Sequence, residues 1–257
     1  MSIYTTEITS EQIVSDNPIH QRLLFAYTVT SPLVKGDLLE IGCGEGRGIE
    51  LLDQHVTSYT AVDKIADVIQ KLATKYPKAK FWAMNLPPLK NLPDNFYDTV
   101  VSFQVIEHIQ KDKEYLKEIA RVLKPGGKAY ITTPNRPMSL SRNPWHVREY
   151  TGHELEAIAK PYFSEVKVDG VFGSKRFLSY HERNRASVNK IMRWDILNLQ
   201  YLLPAWLLRI PYEFANRFNR NNLLEQNDEL VRSISQEDFF IAPYDLEAID
   251  LFLVATK

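Results

Sequence analysis

The run Asp37-Leu38-Leu39-Glu40-Ile41-Gly42-Cys43-Gly44-Glu45-Gly46-Arg47-Gly48 constrains this chain more than any other stretch. Leu38–Ile41 reads as a buried strand, and the glycines after it bend the chain sharply before a helix opens. Glycine lacks a Cβ, so a turn built from it can bring backbone N–H groups against a ligand. The spacing narrows the ligand. A dinucleotide-binding turn needs G-x-G-x-x-G, whose third glycine packs helix on strand. Here the third glycine comes one position early, at Gly46, and Arg47 takes the fingerprint position. Glu40 stands at the strand end just before the turn. An acid there suits a cofactor with a positively charged amino-acid portion better than one with a pyrophosphate.

The rest of the first two thirds alternates between strand and helix signals. Strands are predicted at Leu38–Ile41, Tyr59–Val62, Lys80–Met84, Thr99–Phe103 and Lys128–Thr132, with helices between them at Lys64–Lys75 and Asp112–Val122. Such a pattern implies an α/β fold, a parallel sheet with helices on both faces. Phe163–Val171 and Ile249–Thr256 supply two more strands. Ligands of these sheets bind at the carboxyl ends of the strands. Gly42–Gly48, Asp63, Asn85 and Gln104 all fall there.

Composition bounds the function. A chain of 257 residues has room for one core with an elaboration, and its net charge of -1 supplies no field for nucleic acid. The single cysteine, Cys43, sits inside the glycine turn and reads as a small buried filler. Met1–Glu7 lacks the basic and apolar regions of a signal peptide, and no stretch approaches the roughly 20 apolar residues that span a bilayer. A cytoplasmic location is the expectation.

The glycine run resembles the first motif of class I S-adenosylmethionine-dependent methyltransferases, of the small-molecule "type 11" kind. Three further segments resemble that family in order. Asp63 ends the next apolar run. Phe96–Ser102 and Val105-Ile106-Glu107-His108-Ile109 are similar to its fourth strand and "LEH" turn. Leu123-Lys124-Pro125-Gly126-Gly127 is similar to its lead-in to the fifth strand. The resemblance runs from about Lys35 to Asn135. It implies a Rossmann-like, doubly wound seven-stranded sheet whose last strand is antiparallel, inserted between the fifth and sixth. It also implies S-adenosylmethionine as cofactor, with S-adenosylhomocysteine as product. In that reading Glu40 and the backbone of Gly42, Gly44 and Gly46 face the methionine portion, and Asp63 holds the ribose hydroxyls. Lys64 or Ile65 lies against the adenine, Asn85 stands near its amino group where the family commonly has an aspartate, and Gln104 closes the methionine side.

Acceptor chemistry must come from elsewhere. Asn143-Pro144-Trp145-His146-Val147-Arg148-Glu149-Tyr150-Thr151 resembles a stretch of bacterial methyltransferases often associated with glycan or other small-molecule pathways. An oxygen acceptor needs a base, and His146 has the intrinsic pKa for one. His108 is divided between lining the site and a structural role, with Glu107-His108 capping the next helix. His20 and Arg22 could reach the acceptor mouth, and no residues are assigned to a metal. Thr151 is expected to cap a helix that starts at Gly152. Glu114, Glu118 and Arg121 are expected on a solvated helix surface.

Three units follow: residues 1–34 as a helical cover, 35–173 with 245–257 as the methyltransferase core, and 174–244 as a helical insertion before the last strand. The insertion holds an aromatic, leucine-rich run from Trp194 to Phe214, in which Pro204 and Pro211 are expected to break or kink any helix. It reads as a lid, a homodimer interface or a peripheral membrane contact through 193–220. The favoured function is methyl transfer to a small-molecule acceptor, an oxygen of a glycan, lipid-linked or other metabolite. The alternatives are a non-catalytic cofactor-binding scaffold and a nicotinamide-dependent oxidoreductase. The missing third glycine and the absence of a placed Tyr-x-x-x-Lys pair count against the latter. Nucleic-acid methylation is disfavoured by the charge and by Ser102-Phe103-Gln104-Val105, where an Asn-Pro-Pro-Tyr motif would stand.

Overall fold

The computed structural model describes residues 13–193, 195 and 199–257. The readings made on Met1–Glu7, Trp194 and 196–198 lie outside them. Eight strands form one sheet: β1 (Asp37–Ile41), β2 (Ser58–Asp63), β3 (Lys80–Ala83), β4 (Tyr97–Phe103), β5 (Leu123–Pro134), β6 (Glu165–Gly173), β7 (Phe239–Pro243) and β8 (Asp250–Thr256). Their order is β3-β2-β1-β4-β5-β8-β6-β7. The first five are parallel, and β8 runs antiparallel between β5 and β6. The order reverses between β1 and β4, which places a crevice at their carboxyl ends.

The sheet is Rossmann-like, with one strand more than the seven expected. β7 pairs antiparallel with β6 at the sheet edge. Residues 239–243 had been assigned to a helical insertion; the run Phe239-Phe240-Ile241-Ala242-Pro243 lacks the alternation that marks a half-buried strand. Pro243 ends it, as suits an edge strand, where a missing N–H costs no ladder bond.

Successive side chains of a strand point to opposite faces, and the two apolar layers follow that parity. Leu38, Ala61 and Val101 enter one layer, and Leu39, Ile41, Val62 and Val100 the other. The first layer is covered by α1 (Asn17–Thr30), α2 (Ile49–Leu52) and α3 (Ala66–Lys75). The second is covered by α4 (Asp112–Val122) and α5 (Gly152–Ala159). Thr151 caps α5 reciprocally with Glu154, as expected. Glu118 and Arg121 do more than coat α4. Arg121 donates to the Leu89 and Leu92 carbonyls at 3.0 and 2.9 Å, and Glu118 accepts from Leu89 N at 2.9 Å, so the pair staples the loop after β3 to the helix.

The insertion holds α6 (Lys175–Met192), α7 (Leu199–Leu202), α8 (Ala205–Gln226) and α9 (Asp228–Ser233). Pro204 precedes α8, but Pro211 sits inside it without ending it. A proline there removes one backbone bond at a cost of about 3 kcal/mol, and tertiary packing offsets it. Part of that packing is visible. Asp16, fully buried at the start of α1, accepts from Arg217 at 2.9 Å and Arg220 at 3.0 Å. Asn17 donates to the Val231 and Ile234 carbonyls at 2.8 and 2.9 Å. The amino-terminal cover and the insertion are thereby clamped together.

Candidate active site

The glycine turn is strained in the way its residues permit. Gly42, Gly44 and Gly46 have φ of +80°, +49° and +82°. A Cβ on Gly42 would sit 2.3 Å from the Val105 side chain, so Gly42 is required by both conformation and space. Beside the turn opens a cavity of about 460 Å3, lined by Gly42, Gly44, Gly46, Asp63, Lys64, Asn85, Gln104 and His108 among others. These residues come together from the carboxyl ends of β1, β2, β3 and β4.

Asp63 is held in place by the backbone around it. One carboxylate oxygen accepts Gly44 N at 2.9 Å and the other Ile65 N at 3.0 Å. Each oxygen keeps lone-pair capacity for a second donor. Gln104, just past β4, is a non-glycine residue in the left-handed region, at φ +58°. Its N–H donates to the Thr132 carbonyl at 2.9 Å, which holds the kink against its cost.

Glu40 departs from its expected position and does not reach the cavity wall. It shares parity with Leu38, so its side chain turns toward α1, under the cavity. There it is buried and accepts the Tyr27 hydroxyl at 2.7 Å and the Tyr59 hydroxyl. Burial pushes the Glu40 carboxyl above its usual range against the pull of those two phenols. Tyr27 itself lines the cavity and packs edge-on to Phe103. Glu40 is thus linked to the cavity wall by its hydrogen bond from Tyr27. Cys43 is buried and burial raises its thiol pKa, which suits a filler.

The segment 143–149 packs against His108. His108, on the cavity wall, has Nδ1 at 2.9 Å from the Trp145 carbonyl, an acceptor only, so Nδ1 carries the proton. The His146 ring stands edge-on to the His108 ring with centroids 5.0 Å apart. His146 Nδ1 lies 2.6 Å from Glu149 Oε1, and Nε2 faces the Asn143 amide nitrogen at 2.9 Å. The Asn143 amide is oriented by its oxygen, which accepts Trp145 N at 3.0 Å. These partners select the imidazole with the proton on Nδ1 and the lone pair on Nε2. Burial alone would raise the Glu149 carboxyl, yet hydrogen bonds from His146 and Ser139 outweigh it and hold it below its usual range.

Glu107 is no helix cap. It is buried, accepts the Thr133 hydroxyl at 3.0 Å, and its carbonyl accepts Val147 N at 2.7 Å. Arg22 reaches this end too: its Nε lies 3.3 Å from the buried Asp250. Burial pushes the Asp250 carboxyl above the usual carboxylate range, although Arg22 pulls the other way. His20 lines the larger cavity. A smaller, more apolar cavity of about 200 Å3 opens between Arg142 and Pro144 on one side and Ile191, Leu208 and Tyr212 of the insertion on the other. Arg142 ties the two sides by donating to the Gln200 and Leu203 carbonyls, and the Arg209 guanidinium lies 4.1 Å from the Trp145 ring centre.

Residues 39–131 match the family model described as a methyltransferase domain. Over 158 residues the chain is 35% identical to a protein of Mycobacterium tuberculosis named "Probable S-adenosylmethionine-dependent methyltransferase", covering 59% of this chain and 57% of that one. It is 30% identical over 111 residues to the ubiquinone biosynthesis O-methyltransferase of Rickettsia conorii, 42% of this chain and 38% of that one. Among solved structures, an S-adenosylmethionine-dependent methyltransferase of Thermotoga maritima has a TM-score of 0.57 at 16% identity, over 93% of this chain and 91% of that chain. The [4+2]-cyclase SpnF has a TM-score of 0.54 at 18% identity, over 92% and 81%. Residues 39–131 thus carry a methyltransferase domain, and the chain spans little more than half the length of the mycobacterial relative that it matches.

The cavity beside the glycine turn suits S-adenosylmethionine, the donor that the mycobacterial relative's name states. Its volume of about 460 Å3 lies within the roughly 300–1,000 Å3 of small-molecule sites. A backbone-anchored carboxylate at its wall suits vicinal hydroxyls, and the turn offers an approach that a Cβ would block. Tyr27, Glu149 and Asp250 were not singled out from sequence. Glu149 had a readable signal, standing three residues after His146. Tyr27 and Asp250 had none, since they meet the site only through the fold.

Proposed function

We propose that this chain transfers the methyl group of S-adenosylmethionine to an oxygen of a small-molecule acceptor, a glycan, lipid-linked or other metabolite. The observation that carries the reading is the Glu149–His146 pair, placed one ring beyond His108 on the cavity wall. The bound donor supplies an already activated methyl. The protein's part is to align the acceptor, exclude water and deal with the acceptor proton. Asp63 and the turn backbone hold the donor, with Asn85 and Lys64 at the adenine side and Gln104 at the methionine side. His146 in its Nδ1–H form, steadied by Glu149, takes the acceptor proton on Nε2 once the acceptor displaces the Asn143 amide. An oxygen acceptor is also what the name of the Rickettsia relative states.

A second observation bears on the acceptor's setting. Trp206, Ile210, Phe214 and Phe218 recur every fourth residue of α8 and are 67–75% exposed, one apolar stripe on one helix face. Residues 174–220 carry nine lysines and arginines against three acids, although the whole chain is at -1. Apolar and aromatic side chains beside an excess of cations suit an anionic lipid surface. We read the insertion as a peripheral membrane contact that would bring a lipid-linked acceptor to the smaller cavity. Among the described residues no helix is long and apolar enough to cross a membrane.

The test begins with calorimetric titration of the purified protein with S-adenosylmethionine and S-adenosylhomocysteine, with NAD(H) as control. Binding of the sulfonium pair alone then licenses an acceptor screen, read as S-adenosylhomocysteine formed with sugar, phenol and amine acceptors. Transfer to amines but to no hydroxyl would overturn the oxygen assignment. Donor binding with no transfer to any acceptor or cell extract would favour the scaffold alternative.

A further inference from the structure

We propose that Glu107, His108 and His146 bind one divalent first-row metal ion, zinc or a near neighbour, beside the methyl-donor cavity. This rests on the reading of that end as the acceptor site of an O-methyltransferase, and replaces the proton-accepting role of His146 there with that of an ion ligand.

One ligand atom from each of the three residues lies within 4.8 Å of the others. Metal-bound donors at bond lengths near 2.0–2.2 Å sit roughly 3–3.5 Å apart, a closure that small side-chain rotations supply. Two imidazoles and one carboxylate form a set that first-row divalent ions accept, leaving positions open for a further oxygen.

The surroundings of the three residues matter more than their proximity. Metal-bound histidines almost always donate their other ring N–H to a carbonyl or carboxylate, which fixes the tautomer. Both histidines here do so: His108 to the Trp145 carbonyl at 2.9 Å and His146 to the Glu149 carboxylate at 2.6 Å. Glu107 is steadied likewise by the Thr133 hydroxyl at 3.0 Å. Two chain segments, one after β4 and one after β5, thus bring their imidazoles edge to face, 5.0 Å between ring centres, with proton positions already set. The local charge agrees. Glu107, Asp112, Glu149 and Asp250 gather at this end, where Arg22 pairs with Asp250 and Arg148 with Asp112. The Asn143 amide, 2.9 Å from His146 Nε2, must give way to the ion.

The ion's place explains what it does. His108 lines the donor cavity, so an acceptor oxygen on the open position would lie near the donor methyl. A hydroxyl bound to such an ion loses its proton far more readily than a free one. The O–H bond breaks with its pair on oxygen and the proton passes to solvent water. The O–CH3 bond then forms as the C–S bond breaks, and its pair stays on sulfur. In this arrangement the His146 lone pair serves the ion and not the acceptor proton.

The experiment uses the full chain, free of any polyhistidine tag and stripped with chelator, titrated with Co2+ by visible absorption and with Zn2+ by calorimetry. One equivalent per chain is expected, with a d–d spectrum of nitrogen and oxygen ligands. His146→Ala and Glu107→Gln should each weaken uptake at least about tenfold, the lower bound for disturbing such sites. S-adenosylhomocysteine binding in the same samples shows that the variants are folded. Uptake well below one equivalent, uptake unchanged in both variants, or a thiolate charge-transfer band from Cys43 would each overturn the proposal. None of these touches the methyl-transfer reading, which stands or falls on the acceptor screen. Binding without transfer would fail that reading and leave the metal site standing.

Discussion

The two ends of the proposed active site are built by different means. The proposed donor end is made of backbone: a glycine turn with φ values from +49° to +82°, strand termini, and a carboxylate held by two main-chain N–H groups. The acceptor end is made of side chains from distant segments. Arg22 comes from the cover, Glu107 and His108 from the turn after β4, His146 and Glu149 from the loop after β5, and Asp250 from the last strand. A backbone site demands particular residues at particular spacings, so it leaves a signature in the chain. A side-chain site can be assembled from ordinary residues wherever the topology brings them. The first end can be conserved in form while the second changes its substrate, which is how one fold serves many reactions.

That contrast can be broken by substitutions that act on one end only. The largest effect is expected from His146→Ala. Losing a positioned proton acceptor, or an ion ligand, typically costs about 10²–10⁴-fold in turnover. Donor affinity measured by calorimetry should stay within about twofold of the parent, because His146 does not line the donor cavity. If turnover held steady, His146 would lose its assigned role. If donor affinity collapsed together with turnover, the two ends would not be separable.

The mirror experiment is Asp63→Ala. It removes the carboxylate proposed for the ribose hydroxyls and leaves Gly44 N and Ile65 N without their present acceptor. Hydrogen bonds to a charged group contribute about 1.5–3 kcal/mol each, so donor affinity should fall on the order of a hundredfold. Asp63→Asn should recover part of it, since the amide oxygen can still accept one of the two N–H donors. An unchanged dissociation constant in the alanine variant would remove Asp63 from the ribose.

The same contrast accounts for what could be read before the fold was known. The parallel strands were legible as apolar runs ended by glycine turns, whereas the antiparallel last strand followed from the family resemblance and not from the pattern. Gly42, Gly44, Gly46, Asp63, Lys64, Asn85 and Gln104 could be placed at one crevice by the same logic, and the cavity gathers them. Glu40 was misdirected by proximity to the turn. Its alternation with Leu39 and Ile41, which face the other layer, was the available signal that it points toward α1. β7 was hidden because an edge strand with one sparse face carries no alternation. The continuity of α8 through Pro211 was hidden as well, since tertiary clamps such as Asp16 with Arg217 and Arg220 join residues two hundred apart. Asp250 and Tyr27 fall under that heading too.

The insertion offers a test by pH. His181 of α6 is buried against Phe177, and burial, reinforced by the charges of Arg185 and Arg22, pushes its imidazole down to about 4. The unfolded chain therefore binds a proton that the folded chain refuses between pH 6.5 and about 4. Stability should fall as pH drops through that window, by at most about 3 kcal/mol from this residue. His181→Phe should flatten that part of the curve in urea titrations taken at several pH values. An equally steep loss in the variant would show that other groups carry the acid sensitivity. Donor affinity of the folded protein should be indifferent to the change, which keeps the two ends distinct.

The smallest expected effect bears on the exposed apolar face of α8. If α8 lies on an anionic lipid surface, its stripe enters the headgroup boundary, and each large side chain that leaves water there is stabilised by up to about 1.5–3 kcal/mol. Helices at an interface bury such side chains only in part, so Trp206→Ser or Phe214→Ser should weaken vesicle binding several-fold each. Sedimentation with vesicles of mixed anionic and zwitterionic lipid reads this directly. Raising salt should weaken the parent and both variants alike, because the cations of 174–220 act over about a Debye length. Vesicles of zwitterionic lipid alone should bind poorly. A stripe that instead joins two copies of the chain would show itself as a mass that halves in Phe214→Ser with no change in lipid binding. In that case the apolar face would complete a dimer, and the acceptor would be expected to arrive from water. The distinction reaches back to chemistry, since a lipid-linked acceptor would arrive at the α8 face, whereas a soluble one would need no such surface.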